Sequence, residues 1–219
     1  MRNVRAWFKK EGTAKYISHL DLNRNMLRVI HMSKLPIWYT EGFNPHPFIT
    51  FALPLSLGYS GLRESMDFKL IDDEMSFDEV KARLNKCLPH GIVVYDVTEQ
   101  VMKPSRISYA LFDMELSSEL VTAAELFEAV NGLFKMDEIM MDKKSKAGIK
   151  QVDLKENICK YNIELKENCV TVSVILPAGS TTNVNPKLLV DALQKYFNIE
   201  AYYDITRVDI YNENVESFR

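Results

Sequence analysis

The order of hydrophobic patterns along the chain constrains its fold more than any single motif does. In the first half, patterns typical of strands and helices follow one another as strand, helix, strand, strand, helix, strand. The second half repeats this order after Lys103-Pro104-Ser105. Because this is the order of the ferredoxin-like fold, the sequence predicts an α+β chain with two tandem ferredoxin-like (βαββαβ) domains, residues 1–103 and 104–219. A single mixed α+β domain is the alternative.

A proline supports this interpretation of the first half. Residues 51–57 alternate between apolar and small or polar side chains, which predicts a strand, and Pro54 lies within it. Proline cannot donate to a β-ladder, so the strand is expected at a sheet edge. The strand that follows the first helix of a ferredoxin-like fold occupies an edge, so the two indications agree.

Local signals predict where several elements begin and end. Ser18 and Asp21 are spaced to cap the first helix, and Pro36 is expected to end it near Leu35. Ser118 is expected to open a helix in the second half. Two apolar runs that flank Glu167-Asn168 are expected to pair as a hairpin: Tyr161, Ile163 and Leu165 with Val170, Val172 and Val174.

Composition excludes several classes of protein. No apolar run approaches the roughly 18 residues that a membrane-spanning helix needs, and the first residues carry charges where a signal peptide has its apolar segment. We therefore expect a cytoplasmic protein without membrane contact. The three cysteines and four histidines lack the spacing of metal ligands, so neither a metal site nor a cofactor is expected.

Charge is unevenly distributed. Residues 1–50 carry eight lysines and arginines against three acids, whereas the whole chain has a net charge of −3. A basic region within an acidic chain is typical of a surface that contacts an anionic partner, although many such runs are only solvated faces.

Candidate contacts for single-stranded RNA follow from this region. Cationic side chains near the aromatic residues Trp38, Tyr39 and Phe43 provide the charge and the flat rings that such binding requires. The ordinary alternative is that the aromatic residues pack the domain, that Asp21 pairs with Arg24, and that the later lysines lie in a solvated loop. The candidate RNA- or partner-binding residues are Lys15, Arg24, Arg28, His31, Phe43, Asn44, His46, Lys143, Lys144 and Lys146.

A catalytic alternative rests on the histidines. A metal-independent ribonuclease needs a base for the 2′-hydroxyl and an acid for the leaving oxygen, and histidine suits both roles near neutral pH. His19, His46 and Tyr16 are candidates for these roles. Their spacing does not establish an active site, and His19 is equally suited to the start of a helix.

One stretch resembles a known family. The residues concerned are Tyr16, Ser18 to Leu22, Arg24, Arg28, Leu35-Pro36, Gly42 to Pro47, Phe51 to Leu55, and Glu64 with Asp67. They resemble the signature of a bacterial radical-SAM-associated domain of unknown function, whose members form the tail of a radical-SAM protein or are encoded beside one. The resemblance implies a radical-SAM enzyme as partner. The first third is also similar, more distantly, to CRISPR repeat-processing endoribonucleases, which are tandem ferredoxin-like RNA binders.

These observations predict a non-catalytic module that binds RNA or docks a substrate and works with a radical-SAM enzyme. A metal-independent endoribonuclease and a protein–protein adaptor without nucleic acid contact remain as alternatives.

Overall fold

The computed structural model describes residues 1–145 and 148–219. The chain forms two compact units: unit 1 comprises Met1–Ile107 with Glu216–Arg219, and unit 2 comprises Ser108–Val215. Both contain helices packed on a sheet, so the protein belongs to the α+β class. No helix among the described residues is long and apolar enough to cross a membrane.

Unit 1 contains four strands and two α-helices. In chain order they are β1 (Arg2–Lys10), α1 (His19–Ser33), β2 (Ile49–Phe51), β3 (Ser60–Leu70), α2 (Phe77–Asn85) and β4 (Ile92–Glu99). Their pairings are antiparallel and give the strand order β4-β1-β3-β2. The core lies between the helices and one face of this sheet, where Val4, Ala6 and Phe8 of β1 pack with apolar residues of both helices.

Unit 2 contains six strands and three α-helices within its described residues. They are β5 (Tyr109–Ser117), α3 (Ala123–Lys135), β6 (Met140–Ser145), β7 (Gly148–Asp153), α4 (Leu154–Asn157), β8 (Lys160–Leu165), β9 (Val170–Pro177), α5 (Lys187–Phe197) and β10 (Tyr202–Tyr211). The main strands pair in the order β10-β5-β9-β8, again antiparallel. Strands β6 and β7 form a separate hairpin.

The first helix begins as the sequence predicts. The Ser18 hydroxyl accepts a hydrogen bond from the Asp21 backbone N–H at 3.1 Å and donates to the Asp21 carboxylate at 2.7 Å. The helix ends at Ser33 because Lys34 has a left-handed backbone conformation with φ 53°, two residues before Pro36.

Two predicted boundaries are wrong. Strand β2 has three residues and ends at Phe51, so Pro54 lies outside it and removes no ladder hydrogen bond. Helix α3 begins at Ala123 rather than near Ser118, because Thr122 and Glu125 form the capping box: the Glu125 N–H donates to the Thr122 hydroxyl at 3.2 Å and the Thr122 N–H donates to the Glu125 carboxylate at 2.8 Å. The predicted pairing of β8 with β9 is confirmed in register, from Tyr161 opposite Val174 to Leu165 opposite Val170.

Most of the lysine-rich segment lies in paired strands rather than in a plain loop. Strand β6 pairs with β7 from Met140 opposite Asp153 to Ser145 opposite Gly148. The Tyr196 hydroxyl of α5 accepts a hydrogen bond from the Met140 N–H at 3.0 Å and lies 3.1 Å from the Met140 carbonyl oxygen. The hairpin is thereby fixed to the last helix of its own unit.

Candidate functional site

The sheet of unit 1 has a second face, which points away from α1 and α2. Successive side chains of a strand point to opposite faces, so the β1 residues that alternate with Val4, Ala6 and Phe8 lie on this second face. We call it the polar face and define it by three residues of β1 and the three opposite them on β3: Asn3, Arg5 and Trp7, with Lys69, Asp67 and Ser65.

A buried ion pair lies at the centre of the polar face. Arg5 is fully buried and donates from Nε and Nη2 to the two oxygens of Asp67, at 2.6 and 2.7 Å. Nη2 also donates to the Met102 carbonyl at 2.8 Å, and Gln100 donates to Asp67 Oδ2 at 2.7 Å. Charges this far from water require such partners, and here the partners tie the segment after β4 to the sheet.

Part of the polar face is covered by residues of unit 1 itself. Phe218 is fully buried, and its ring lies 4.1 Å from the Arg5 guanidinium and 6.1 Å from the Trp7 ring. The Phe218 carbonyl accepts a hydrogen bond from Arg63 at 3.0 Å. Trp7 is also buried and donates to the Thr98 hydroxyl at 3.0 Å, so it packs the unit and offers no free ring to a ligand.

Beside the covered part, the polar face opens into a cleft. The cleft has a volume of about 530 Å³, which is within the range of small-molecule and single-nucleotide sites. Strands β1 and β3, the residues around β2, and the segment after β4 all contribute to its walls. Its lining residues are Asn3, Phe48, Thr50, Asp67, Phe68, Lys69, Gln100, Lys103, Pro104 and Ser105.

The cleft combines cations with an aromatic wall and neutral polar groups. Lys69 Nζ lies 5.1 Å from the centre of the Trp38 ring, which meets the Phe48 ring edge-on at 5.7 Å. Phe48 remains 43% exposed, so its ring is accessible to a ligand. Since Arg5 neutralises the carboxylate of Asp67, the charge left to the cleft is that of Lys69 and Lys103. Such a site suits an anionic ligand with a flat ring.

The segment that contains Gly42 to Pro47 forms the tip of a narrow hairpin. The Thr40 N–H donates to the His46 carbonyl at 2.9 Å, and the Phe48 N–H donates to the Trp38 carbonyl at 3.2 Å. At the tip Phe43 is fully exposed. His46 faces solvent: its Nδ1 lies 3.1 Å from the Asn44 carbonyl oxygen and 3.2 Å from the Thr40 hydroxyl. These contacts keep His46, Asn44 and Phe43 within one surface loop.

The other predicted residues of unit 1 lie around α1. Arg24, Arg28 and His31 are exposed on this helix, and Arg24 pairs with Asp21 at 3.2 Å. Because α1 packs on the core face of the sheet, these side chains and the cleft lie on opposite sides of the sheet. The structure therefore does not gather the predicted cations on one surface with the cleft.

The catalytic candidates have separate surroundings. The His19 ring meets the Phe51 ring edge-on at 5.3 Å, whereas His46 is held within its own loop. Tyr16 is 67% exposed, and Lys15 Nζ lies 5.6 Å from its ring. The ring contact of His19 is with Phe51, whereas the His46 contacts are with Thr40 and Asn44 of its own loop.

Two of the predicted lysines of unit 2, Lys143 and Lys144, lie on strand β6. Lys143 donates from Nζ to the Asn183 carbonyl, and Lys144 follows it in the strand. Lys146 lies outside the described residues.

No metal site is found in the part of the chain that the structure describes, where no three His, Cys, Asp or Glu side chains are grouped to hold an ion. Cys87, Cys159 and Cys169 are free thiols, and burial raises the pKa of the Cys159 thiol above its usual value. A raised pKa lowers the thiolate fraction and with it the reactivity of this cysteine.

Comparison with known families identifies the chain. Residues 3–186 match the model of a family described as an uncharacterized protein conserved in bacteria (DUF2344). The chain belongs to this family. All the lining residues of the cleft fall within the matched segment.

Other comparisons add little. No curated protein matches the chain. It is similar to a crystal structure of an unknown protein from Galdieria sulphuraria, with 11% identity, 93% of this chain and 98% of that chain covered, and a TM-score of 0.26. At this TM-score the likeness says nothing further about the fold.

The cleft was not found from the sequence, although one signal for it was present. Asn3, Arg5 and Trp7 alternate with Val4, Ala6 and Phe8, which indicates a second face with its own role. Lys69 and Lys103 also line this cleft, but they are far from each other and from β1 in the sequence. Only the folded structure brings them together.

Proposed function

We propose that each unit is a ferredoxin-like domain. The strand orders β4-β1-β3-β2 and β10-β5-β9-β8, with helices at the expected positions between the strands, support this proposal. In unit 2 the hairpin of β6 and β7 is then an insertion before the second strand of the domain.

We propose that the protein is a non-catalytic module that binds single-stranded RNA, or docks a substrate that carries it, through the cleft of unit 1. The observation that carries the proposal is the cleft itself, which places Lys69 and Lys103 beside the accessible ring of Phe48. Cations that follow the backbone and rings that stack on bases are the two parts of sequence-tolerant binding to single strands.

The neutral side chains of the cleft fit the same ligand. Asn3, Thr50 and Ser105 are exposed and supply hydrogen-bond donors and acceptors at its rim. Groups of this kind can contact base edges and the 2′-hydroxyl, the group that distinguishes RNA from DNA. The cleft accommodates about one nucleotide, so neighbouring nucleotides would extend over the adjacent surface of unit 1.

Charge reversal in the cleft tests the proposal. We expect the double variant Lys69→Glu/Lys103→Glu to weaken binding of a labelled single-stranded RNA by about tenfold or more in fluorescence anisotropy at low salt. The slope of affinity against salt concentration should also fall, because fewer counterions are released. Lys86→Glu on the exposed end of α2 is the single-charge control and should bind like the wild type.

A second variant tests whether RNA binds the cleft or the surface of α1. Arg24→Glu/Arg28→Glu reverses two charges on the side of the sheet opposite the cleft. Loss of binding in this variant, with wild-type affinity in Lys69→Glu/Lys103→Glu, would move the RNA site to α1 and overturn the assignment to the cleft. Absence of binding by the wild type would overturn the RNA proposal altogether.

We also propose that this module works beside a radical-SAM enzyme in the cytoplasm. The support is the resemblance of residues 16–67 to the radical-SAM-associated domain. Co-expression with a radical-SAM enzyme encoded beside it should give a complex that survives ribonuclease treatment of the lysate. Separate elution of the two proteins would contradict direct partnership, and dependence of the complex on intact RNA would indicate that RNA bridges them.

A further inference from the structure

Unit 2 has an exposed edge strand. Strand β8 pairs with β9 on one side, and no other described strand pairs with it on the other. Five of its six residues are exposed and it contains no proline. Its free side therefore presents a row of backbone N–H and C=O groups, which can bind another strand.

The turn after β8 fixes which backbone groups point to the free side. The Lys166 N–H donates to the Cys169 carbonyl at 2.9 Å, so this pair is a hydrogen-bonded pair. Hydrogen-bonded pairs alternate along an antiparallel ladder, so Glu164 and Asn162 direct their backbone groups toward β9. Tyr161, Ile163 and Leu165 then direct theirs toward the free side.

We propose that β8 pairs with the β8 strand of a second copy of this chain, antiparallel about a two-fold axis at Asn162. In this register Tyr161 of each copy lies opposite Ile163 of the other copy, and these two residues exchange backbone hydrogen bonds. Lys160 lies opposite Glu164 of the second copy, and by symmetry this pair occurs twice. The inference is independent of the proposed RNA contact, since it concerns only unit 2.

Charge complementarity selects this register. A two-fold axis perpendicular to the sheet keeps the helices of both copies on the same side of the combined sheet. Such an axis passes midway between one residue and the same residue of the second copy, and this residue is either Asn162 or Ile163. An axis at Ile163 would place Lys160 opposite Lys166 of the second copy. Like charges directly opposite each other destabilise a sheet, whereas opposite charges stabilise it, so the axis at Asn162 is favoured.

The side chains fit the pairing on both faces of the sheet. On the helix side, Tyr161 packs 4.6 Å from the Phe134 ring of α3 and is still 43% exposed, so pairing would cover more of its surface. On the other side, Glu164 holds Lys166 at 3.3 Å and accepts from Asn162 at 3.0 Å, and it retains room for a further cation. One short strand pair buries little area, so we expect a weak dimer that forms only at high protein concentration.

Sedimentation velocity on the full chain over a concentration series tests the proposal. The average mass should rise from 25.3 kDa toward that of a dimer as concentration increases. Glu164→Lys and Lys160→Glu should each remove this rise, because each places like charges opposite one another. The double variant Lys160→Glu/Glu164→Lys should restore it. Glu167→Lys, in the exposed turn after β8, makes the same charge change as Glu164→Lys and should self-associate like the wild type.

A backbone variant provides an independent readout. Ile163→Pro removes one N–H from the free side of β8 and should abolish association. Circular dichroism identifies any variant that fails to fold. A wild type that stays monomeric at the highest concentration would overturn the proposal. A dimer that the single charge reversals leave intact, or a folded double variant that stays monomeric, would overturn it as well.

Discussion

The two units share an order of elements but differ in the sheet face that points away from their helices. At the centre of this face in unit 1, Arg5 lies opposite Asp67, and both are buried. At the corresponding place in unit 2, Asp113 lies opposite Ser173, whose hydroxyl donates to the carboxylate at 2.6 Å, and both side chains are half-buried. The first pair is part of a covered structure, and the second is an ordinary polar contact.

The charges on the two faces also differ. The cleft in unit 1 presents Lys69 and Lys103, whereas the same side of the sheet in unit 2 carries Asp113, Glu115 and Glu164 against Lys160. The order of strands and helices is therefore compatible with either sign of charge on this face. An anionic ligand would distinguish the two faces, because the cleft of unit 1 offers it Lys69 and Lys103 beside the accessible ring of Phe48.

The largest effect is expected at the buried ion pair. Asp67→Ala leaves the guanidinium of Arg5 buried without its carboxylate, which should lower the free energy of unfolding by about 3–5 kcal/mol. Urea unfolding followed by tryptophan fluorescence measures this in unit 1 specifically, because Trp7 and Trp38 are the two tryptophans of the chain.

Replacement of the whole pair is the control for that experiment. Arg5→Met/Asp67→Leu removes both charges together and should cost less than Asp67→Ala alone. A loss below about 1 kcal/mol in Asp67→Ala would mean that water reaches Arg5, contrary to its burial in the structure.

The equivalent change in unit 2 should have a smaller effect. Asp113→Ala removes one hydrogen bond at a half-buried position, so we expect a loss of about 1 kcal/mol, detected as faster hydrogen exchange in β5 and β9. Ser173→Ala should have a similar effect. A loss of stability as large as that caused by Asp67→Ala would contradict the expected energetic difference between the two faces.

A still smaller and pH-dependent effect is expected at the start of α3. Hydrogen bonds from Thr122 lower the pKa of Glu125 below its ordinary value of 4.5. A carboxylate with a depressed pKa stabilises the folded state above its unfolded pKa, and this contribution disappears as pH falls through the folded pKa. Thr122→Ala removes the hydroxyl that caps the helix and donates to the Glu125 carboxylate, so it should lower the melting temperature at pH 7, and this effect should shrink as pH falls through the folded pKa of Glu125. An effect that does not change with pH would contradict a contribution from the bond between the hydroxyl and the carboxylate, because the Thr122 backbone N–H still donates to Glu125 in this variant.

No effect is expected in a test for cleavage. All four histidines lie in unit 1; the His19 ring packs against Phe51, and His46 contacts Asn44 and Thr40 within its own loop. Purified protein incubated with structured RNA in EDTA should leave the RNA intact. Cleavage that is lost in both His19→Ala and His46→Ala would instead establish the endoribonuclease alternative.

Much of the fold could be predicted from short-range patterns. The Ser18 cap, the pairing of β8 with β9 and the order of elements in unit 1 all follow from periodicity and turn chemistry, whereas β6, β7 and α4 of unit 2 were not predicted. The errors came from competing local signals. Thr122 with Glu125 is a stronger cap than Ser118, and the alternation beyond Phe51 continues in the sequence after the strand itself has ended.

The candidate site was less predictable because it depends on contacts between distant residues. The basic stretch around α1 suggested a binding surface, but helix packing puts Arg24 and Arg28 on the side of the sheet opposite the cleft. Lys69, Lys103 and Phe48 meet only after β3 and the segment following β4 are in place. Neither charge counts nor spacing could supply that proximity.

Chemical-shift mapping with a short single-stranded RNA tests the central claim most directly. Amide signals of the isotope-labelled protein should shift on titration at Asn3, Thr50, Lys69 and Ser105, and those of Asp113, Glu115 and Glu164 should remain unchanged. Shifts confined to α1 or to unit 2, or no shifts at all, would contradict the claim that the cleft of unit 1 is the RNA contact.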